Sequence, residues 1–580
     1  MLRFFDYFNA GGRQRGVVRV GLALLLGYAI LLAGCGGPQS VVTYHYDNNR
    51  TGWNENEKTL KAANVSSSGF GLLPYSPISV DDQVDTQPLV VPGLKAVGGK
   101  NIGNDDVVYV TTENNSVYAI DGNSGTILAQ KNLGAPVPVQ ALIGCNNNGV
   151  NVGINGTPVI DLPSNTMYVI AYTLTNNGPE YFIHALDITT LQDKVPAAEI
   201  TASQTSPNGS PITFYPGSHR QRAALLAAYG NVYAAFASFC DFALSPDQPR
   251  GWILGWKQLQ PGQAALASLS ASAVTDAQAQ TNSGFYLSSI WMSGSGLAAG
   301  SDGNIYAVTG NSSAQTYNNG APCNAKCPPA GNNYSESVIK VKPDLSGIID
   351  WFTPPNVNML DANDWDFGSG GILLLPGGLS SPNGTAWLAA AAGKYGTMYV
   401  LNTNNLGHGG PSVSASPAPL TTENIGYCWC NESYFFGTNG PTIVSSGGGN
   451  GQNEPYVAGT VQLWSIPSLS IPASGLQLTN EGISQDIVKA SVQDGGFFTS
   501  VSGVGPTAII WAVVRPDKNS NMNLYAFSQT VSNGALTQLF KGQAGTWPNT
   551  GGNANTVPVV ANGLVYVASY KQLNVFGLSH

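Results

Sequence analysis

The chain has 580 residues, with 24 Lys and Arg against 33 Asp and Glu, a net charge of −9 and only 10% charged residues. An acidic surface so poor in charge excludes nucleic acid as a partner, because phosphate binding is carried by clustered Lys and Arg. Gly (70) and Pro (36) are abundant, and no long amphipathic helical period follows the first forty residues. An alternating strand-helix enzyme is thereby excluded, and an all-β chain of many turns is expected.

The N-terminus comes first in chain order. Arg3, Arg13, Arg15 and Arg19 precede an apolar run from Val20 to Leu32 that ends in Leu32-Ala-Gly-Cys35. A basic region followed by an apolar stretch too short for a comfortable membrane span fits an export signal. The small residues before Cys35 resemble the lipobox of bacterial lipoproteins. That resemblance implies a signal peptide over residues 1–34, lipidation at Cys35 and a lipidated tether over 35–45 that holds the protein to a membrane. Loss of residues 1–34 removes four arginines and Asp6, taking the charge from −9 to −12. Gly36 rather than Asp follows the cysteine, which by the usual sorting pattern favours the outer membrane, on its periplasmic or surface face.

From residue 46 onward a β-branched and aromatic unit recurs. Its first copy runs Val107-Val-Tyr-Val-Thr111, a polar turn, Ser116-Val-Tyr-Ala-Ile-Asp121 and then Gly125, leading into Thr126–Gln130. This reads as two strands, an Asp-x-x-x-Gly corner and a third strand. Further pairs stand at Thr166–Ile170 with His184–Asp187, Asn231–Ala235 with Trp252–Trp256, and Asn304–Val308 with Ser337–Val341. Others follow at Ala386–Ala390 with Met398–Leu401, Pro455–Ala458 with Val461–Trp464, Ile509–Val513 with Leu524–Phe527, and Leu564–Ala568 with Leu573–Phe576. An upstream strand recurs as Gln87–Val90, Thr157–Ile160 and Val557–Val560. Eight such units of about four strands predict a single eight-bladed β-propeller over residues 46–580. The average spacing of roughly 65 residues exceeds the ~40–50 of compact propeller repeats, so the excess lies in loops, where sites are built.

With Cys35 assigned to lipid, six cysteines remain in an oxidising compartment. Cys323 and Cys327 are spaced to close a small loop, and Cys145 and Cys240 lie in neighbouring blades. Cys428 and Cys430 are candidates too, although one intervening residue makes disulfide geometry demanding. No His lies near either short pair, which argues against zinc. No Cys-x-x-Cys-His motif is present, so covalent haem is not expected, nor is a nucleotide cofactor.

The repeat pattern resembles that of the pyrroloquinoline quinone (PQQ) type propellers. That family includes alcohol dehydrogenases holding PQQ with calcium or a lanthanide, and scaffold lipoproteins that have the ring without the cofactor. Thr309-Gly-Asn311 resembles the segment whose amide oxygen binds the metal, and Asp364-Trp-Asp366-Phe resembles the segment whose second Asp is the catalytic base and a metal ligand. By the same resemblance Lys394, in Gly393-Lys-Tyr-Gly396, contacts the quinone oxygens, and Trp291, twenty residues before Asn311, is the floor on which the cofactor lies. Asp241 stands where a carboxylate completes the metal site. Gly368 stands where lanthanide enzymes place another Asp, so the resemblance implies Ca2+. The adjacent Cys-Cys pair of many such dehydrogenases is absent.

These residue types suit the chemistry. Calcium takes hard oxygen ligands, a carboxylate can accept a hydroxyl proton, a lysine stabilises charge on a reduced quinone, and an indole offers a flat surface. Each residue also has an ordinary reading: Asn311 as a turn residue, Asp366 as a loop anchor beside Gly368–Gly371, Trp291 as blade packing, Lys394 as a solvated cation. Two functions follow. One is a lipid-anchored PQQ- and calcium-dependent oxidoreductase acting on an alcohol or sugar hydroxyl. The other is a non-catalytic scaffold lipoprotein binding a protein or glycan at the cell envelope. Either is expected as a monomer. Hydrolysis is disfavoured, since no Gly-x-Ser-x-Gly elbow occurs and His45, His184, His219, His408 and His580 form no motif.

Overall fold

The computed structural model describes residues 38–579 apart from 143–148, 207–208, 240–248, 277–287, 313–332, 411–413, 449–458, 474, 486, 488–494 and 550–553. Cys35, Cys145, Cys240, Cys323, Cys327, Asp241 and the expected signal peptide lie outside the described residues. Among those described, no helix is long and apolar enough to cross a membrane.

The expected ring is present: eight blades of mostly antiparallel strands. The first shows how the sequence makes one. Leu89–Val91, Val107–Thr111, Ser116–Asp121 and Ile127–Asn132 pair in that order, and the hairpin Val107↔Asp121 to Thr111↔Val117 is the unit read from the repeat. The second and third strands are buried along their whole length, because both faces of a blade pack on neighbours. The Asp-x-x-x-Gly corner has a mechanism. The Asp121 carboxylate accepts the Asn123 and Ser124 amides, at 2.9 and 3.0 Å, and Gly125 takes φ +73° to turn into the fourth strand.

Six of the eight predicted hairpins pair where the repeat placed them, the eighth pair falls within one strand, Leu564–Leu578, and the sixth is a correction. Gln462–Ser465 pairs with Gly440–Ser445, not with residues 455–458, which lie outside the described residues. Thr442-Ile-Val-Ser445 is parted from its partner by a Gly-rich insertion, and the apolar run nearest to the partner was not its mate.

The eighth blade closes the circle. Its strands Val559–Ala561 and Leu564–Leu578 come from the C-terminus, and its outer strands, Phe70–Leu72 and Ile78–Gln83, come from near the N-terminus. Closure in this way joins both ends of the chain in one blade, and the ring leaves only short, protected edges.

A second N-terminal device runs around the axis. Val41 exchanges both backbone hydrogen bonds with Val90 of blade 1, and the Val42 carbonyl accepts Ile160 N–H of blade 2. Asn48 donates its amide to the Ala227 carbonyl of blade 3. The carbonyls of Asn48, Asn49, Thr51 and Gly52 then accept N–H groups of Ala299, Leu374, Tyr434 and Val501, one in each of blades 4 to 7. Tyr46 and Asn54 bond Val560 of blade 8. One segment of fourteen residues, 41–54, thus touches the inner strand of every blade. Residues 41–45, expected in the tether, are therefore part of the ring, with Val41 and His45 fully buried.

Antiparallel pairing puts the start of each inner strand and the end of the second strand at the same end of the blade. Trp291, Asp366 and Trp429 precede the inner strands of blades 4, 5 and 6, while Asn311 and Lys394 follow the second strands of blades 4 and 5. All five are delivered to one face of the ring.

Candidate functional site

Trp291 leads into the turn Met292–Gly294, where three successive residues hold positive φ: 40°, 50° and 91°. Such backbone is costly in L residues and persists only when its surroundings enforce it, which is typical of functional sites. Two strands on, Gly310 lets the next groups close in. A Cβ at Gly310 would lie 2.5 Å from Asp366 Oδ1 and 3.1 Å from Trp291 Nε1. Asp364 ends the helix Val357–Asn363 in left-handed conformation, φ +55°, which turns the chain so that Asp366 faces Asn311.

Four of the residues singled out in the sequence come together. The Asn311 backbone N–H donates to Asp366 Oδ1 at 2.9 Å, and the Asn311 carboxamide N–H donates to Asp364 Oδ1 at 3.0 Å. Lys394 Nζ lies 2.7 Å from Asp366 Oδ2 and 3.2 Å from Asp364 Oδ2. Its ammonium is 5.7 Å from the centre of the Trp291 ring. The reading of Lys394 as a solvated cation is therefore set aside: its side chain is 4% exposed. The fifth, Asp241, lies outside the described residues.

Electrostatics favour the charge on Lys394 and the proton on nearby buried carboxyls. Burial works against the Lys394 charge, but the Asp366 and Asp364 carboxylates outweigh it and raise the ammonium's pKa well above its usual value. Nearby carboxyls go the other way. Burial, reinforced by Asp366 and Asp361, pushes Glu336 far up, and its Oε2 accepts the Phe367 N–H. Burial likewise raises Asp361 to about 8, although Ser312 N–H donates to it at 3.0 Å. Neither Glu336 nor Asp361 had a sequence signal; no motif surrounds them, and only folding brings them beside Asp366.

Trp429 was missed as well. Its ring meets that of Trp291 at 5.1 Å between centres in a T-shaped contact, and Lys394 Nζ sits 4.7 Å above it. Cys428 and Cys430 flank it and are bonded sulfur to sulfur, with their Cα atoms 5.0 Å apart, so the spacing held to be demanding is accommodated here. Arg515 donates to the Trp429 carbonyl and Trp429 N–H to Gly495 O, fixing the loop from behind. Glu432, two residues further, is fully buried, and neither carboxyl oxygen has a hydrogen-bond partner among the other described residues.

Burial raises Glu432 from 4.5 to about 7. Its folded form holds the proton more tightly than its unfolded form. The resulting stability is complete below about pH 4.5 and is lost as pH rises through 7, a swing of about 3 kcal/mol. Glu432→Gln is therefore expected to match wild type at pH 4.5 and to exceed it by up to that amount at pH 8, read from urea midpoints. An equal difference at the two pH values would show that Glu432 does not titrate in this window.

Asn311, Asp364 and Asp366 offer hard oxygen donors, which suit a calcium-like ion and not zinc. A side chain at position 368 is excluded by the backbone, since a Cβ there would lie 2.3 Å from Gly310 N. No further carboxylate can enter from that position. The Trp291 and Trp429 rings and the Lys394 charge provide the flat surface and counter-charge for a planar anion.

No protein-family profile matches the chain, and no curated protein does. Solved structures do. A quinohemoprotein alcohol dehydrogenase from Comamonas testosteroni superposes with a TM-score of 0.55 at 14% identity, over 95% of this chain and 82% of that one. A quinohemoprotein alcohol dehydrogenase from Pseudomonas putida HK5 gives 0.52 at 13%, over 93% and 80%. A europium-containing methanol dehydrogenase gives 0.55 at 13%, over 93% and 98%. At such identities the likeness carries the fold alone: the chain is an eight-bladed β-propeller similar in fold to these structures.

Proposed function

We propose that this protein is a lipid-anchored quinoprotein oxidoreductase of the cell envelope that binds PQQ with Ca2+, oxidises an alcohol or sugar hydroxyl and passes the electrons to a separate acceptor. The observation that carries the reading is the convergence of Trp291, Asn311, Asp364, Asp366 and Lys394 within hydrogen-bond or ring contact of one another.

The residues suit these cofactors. Asn311, Asp364 and Asp366 would hold the calcium, Trp291 would lie beneath the quinone plane and Lys394 would face its oxygens. When bound, the pair supplies a two-electron acceptor polarised by a Lewis acid. The chain supplies the proton chemistry. Asp366, its Oδ1 fixed by the Asn311 N–H, presents Oδ2 as the base for the substrate hydroxyl proton. Lys394 remains protonated throughout and stabilises negative charge developing opposite it. Neutral Glu336 and Asp361 add no repulsion to the Asp366 carboxylate.

The mature protein titrated with PQQ is expected to bind at micromolar concentration in a Ca2+-dependent way and to reduce a dye with primary alcohols or sugars. Removal of Ca2+ by chelator should release the quinone spectrum and the activity together. Absence of binding with and without Ca2+ would overturn the reading and leave a scaffold. The anchor has its own check: the intact mass should carry a diacylglyceryl group that Cys35→Ala abolishes.

A further inference from the structure

The Cys428–Glu432 loop holds chemistry that the proposed oxidation does not use. The reactive atoms of Cys428, Cys430 and Glu432 all lie within 4.8 Å of one another. A bend at Trp429 and Cys430 brings the two sulfurs together with Glu432, while the Trp429 ring packs against Trp291. A buried carboxyl with no hydrogen-bond partner costs on the order of 1–3 kcal/mol even when neutral, and such groups call for an explanation. Neither oxygen of Glu432 has a partner among the other described residues, and what it faces is the disulfide.

We propose that Cys428 and Cys430 form a second redox centre, a dithiol–disulfide couple with Glu432 as its built-in proton donor, whose opening releases Trp429 from Lys394 and Trp291. The couple stands apart from the quinone reading; only its effect on turnover rests on that reading. The reductant is a dithiol. One of its thiolates attacks one cysteine sulfur, the Cys428–Cys430 bond breaks, and the departing thiolate takes the Glu432 proton. The second thiol then displaces the mixed disulfide, and its proton and the one shed on the first attack restore the Glu432 carboxyl and protonate the other cysteine. Two electrons and two protons leave the dithiol and reside on Cys428 and Cys430, while the reductant becomes a disulfide.

The loop also provides a way in. Cys428 and Cys430 are fully buried, and Trp429 is the one partly exposed residue between Tyr427 and Glu432. Displacement of its indole uncovers the sulfurs. The same displacement removes the ring that packs 4.7 Å from Lys394 Nζ and 5.1 Å from Trp291. The carboxyl is protonated in the range where it is needed, because burial sets it near 7.

The test uses the mature oxidised protein without cofactor, treated with dithiothreitol at pH 6.5 in the absence of denaturant. Free thiols are followed by alkylation and mass of the peptide that carries 428 and 430, and the indole by its fluorescence. Wild type is expected to be reduced while folded, with the emission change tracking the thiols. Glu432→Gln should be reduced about tenfold or more slowly, with a melting temperature at this pH no lower than that of wild type, and Glu432→Asp should recover part of the rate. Reduction only on unfolding, or the same rate in Glu432→Gln, would overturn the proposal. Reduction without an indole response would overturn the release of Trp429. Each of these results is read without PQQ, so a failure of the quinone reading leaves them standing.

Discussion

Asp366→Asn is expected to lower turnover by about 10²–10⁴-fold, the range for loss of a positioned acid or base, while PQQ binding persists. Asparagine keeps an oxygen to accept the Asn311 N–H and to face a metal, so the change removes basicity with little change of shape. It also strips Lys394 of its closest counter-charge, at 2.7 Å, leaving Asp364 at 3.2 Å, whose side chain is 66% exposed. Breaking a buried pair costs about 3–5 kcal/mol. Because one carboxylate remains, the cost here is expected at the low end of that range. Turnover and denaturant midpoint measured on the same sample separate the two effects. Wild-type turnover in this variant would refute Asp366 as the base. Lost turnover accompanied by lost quinone binding would mean that Asp366 acts as a ligand alone.

The parts of the molecule that were legible in the sequence are those built from local pattern. Period-two runs such as Val107–Thr111 and Ser116–Asp121 pair with their nearest neighbours along the chain, so the hairpin can be read without knowing the fold. Where an insertion separates the partners, as between Gly440–Ser445 and Gln462–Ser465, the same reading picked the wrong strand. Order along the chain also brought Trp291, Asn311, Asp366 and Lys394 to one face, because each sits next to a strand end whose direction is set by the hairpin. Glu336, Asp361 and Trp429 escaped notice, since their roles come from contacts between blades and no motif marks them. The axial segment escaped for a stronger form of that reason. Val41 to Asn54 has no strand period, and its hydrogen bonds reach residues from Val90 to Val560.

Arg50 in that segment carries the largest predicted effect on stability. It is fully buried, with φ +65°, and among the described residues no carboxylate lies within ion-pair distance of its guanidinium. Its charge is met by backbone carbonyls and one hydroxyl instead. Nε donates to Leu297 O at 2.8 Å, Nη2 to Leu225 O at 3.2 Å, and Nη1 to Tyr44 O at 2.9 Å and Thr43 Oγ1 at 2.7 Å. Leu225 and Leu297 stand at the start of the inner strands of blades 3 and 4, so one planar group ties two blades to the axial segment. The fit depends on Gly296, whose Cβ would approach Nη2 to 2.6 Å. Arg50→Ala leaves a cavity and several carbonyls without donors, and it should cost about 4 kcal/mol or prevent accumulation of folded protein. Arg50→Lys should be nearly as damaging. An ammonium has three donors at one point and cannot reach carbonyls on two blades at once, and its desolvation is more costly than that of guanidinium. An exposed control, Lys257→Ala, should stay within about 0.5 kcal/mol. Urea midpoints at unchanged m-value decide the matter. If Arg50→Lys falls within about 1 kcal/mol of wild type, the blades are held by their own interfaces. The axial segment would then be a passenger of the ring and not the strap that fixes the spacing on which the Trp291–Lys394 site depends.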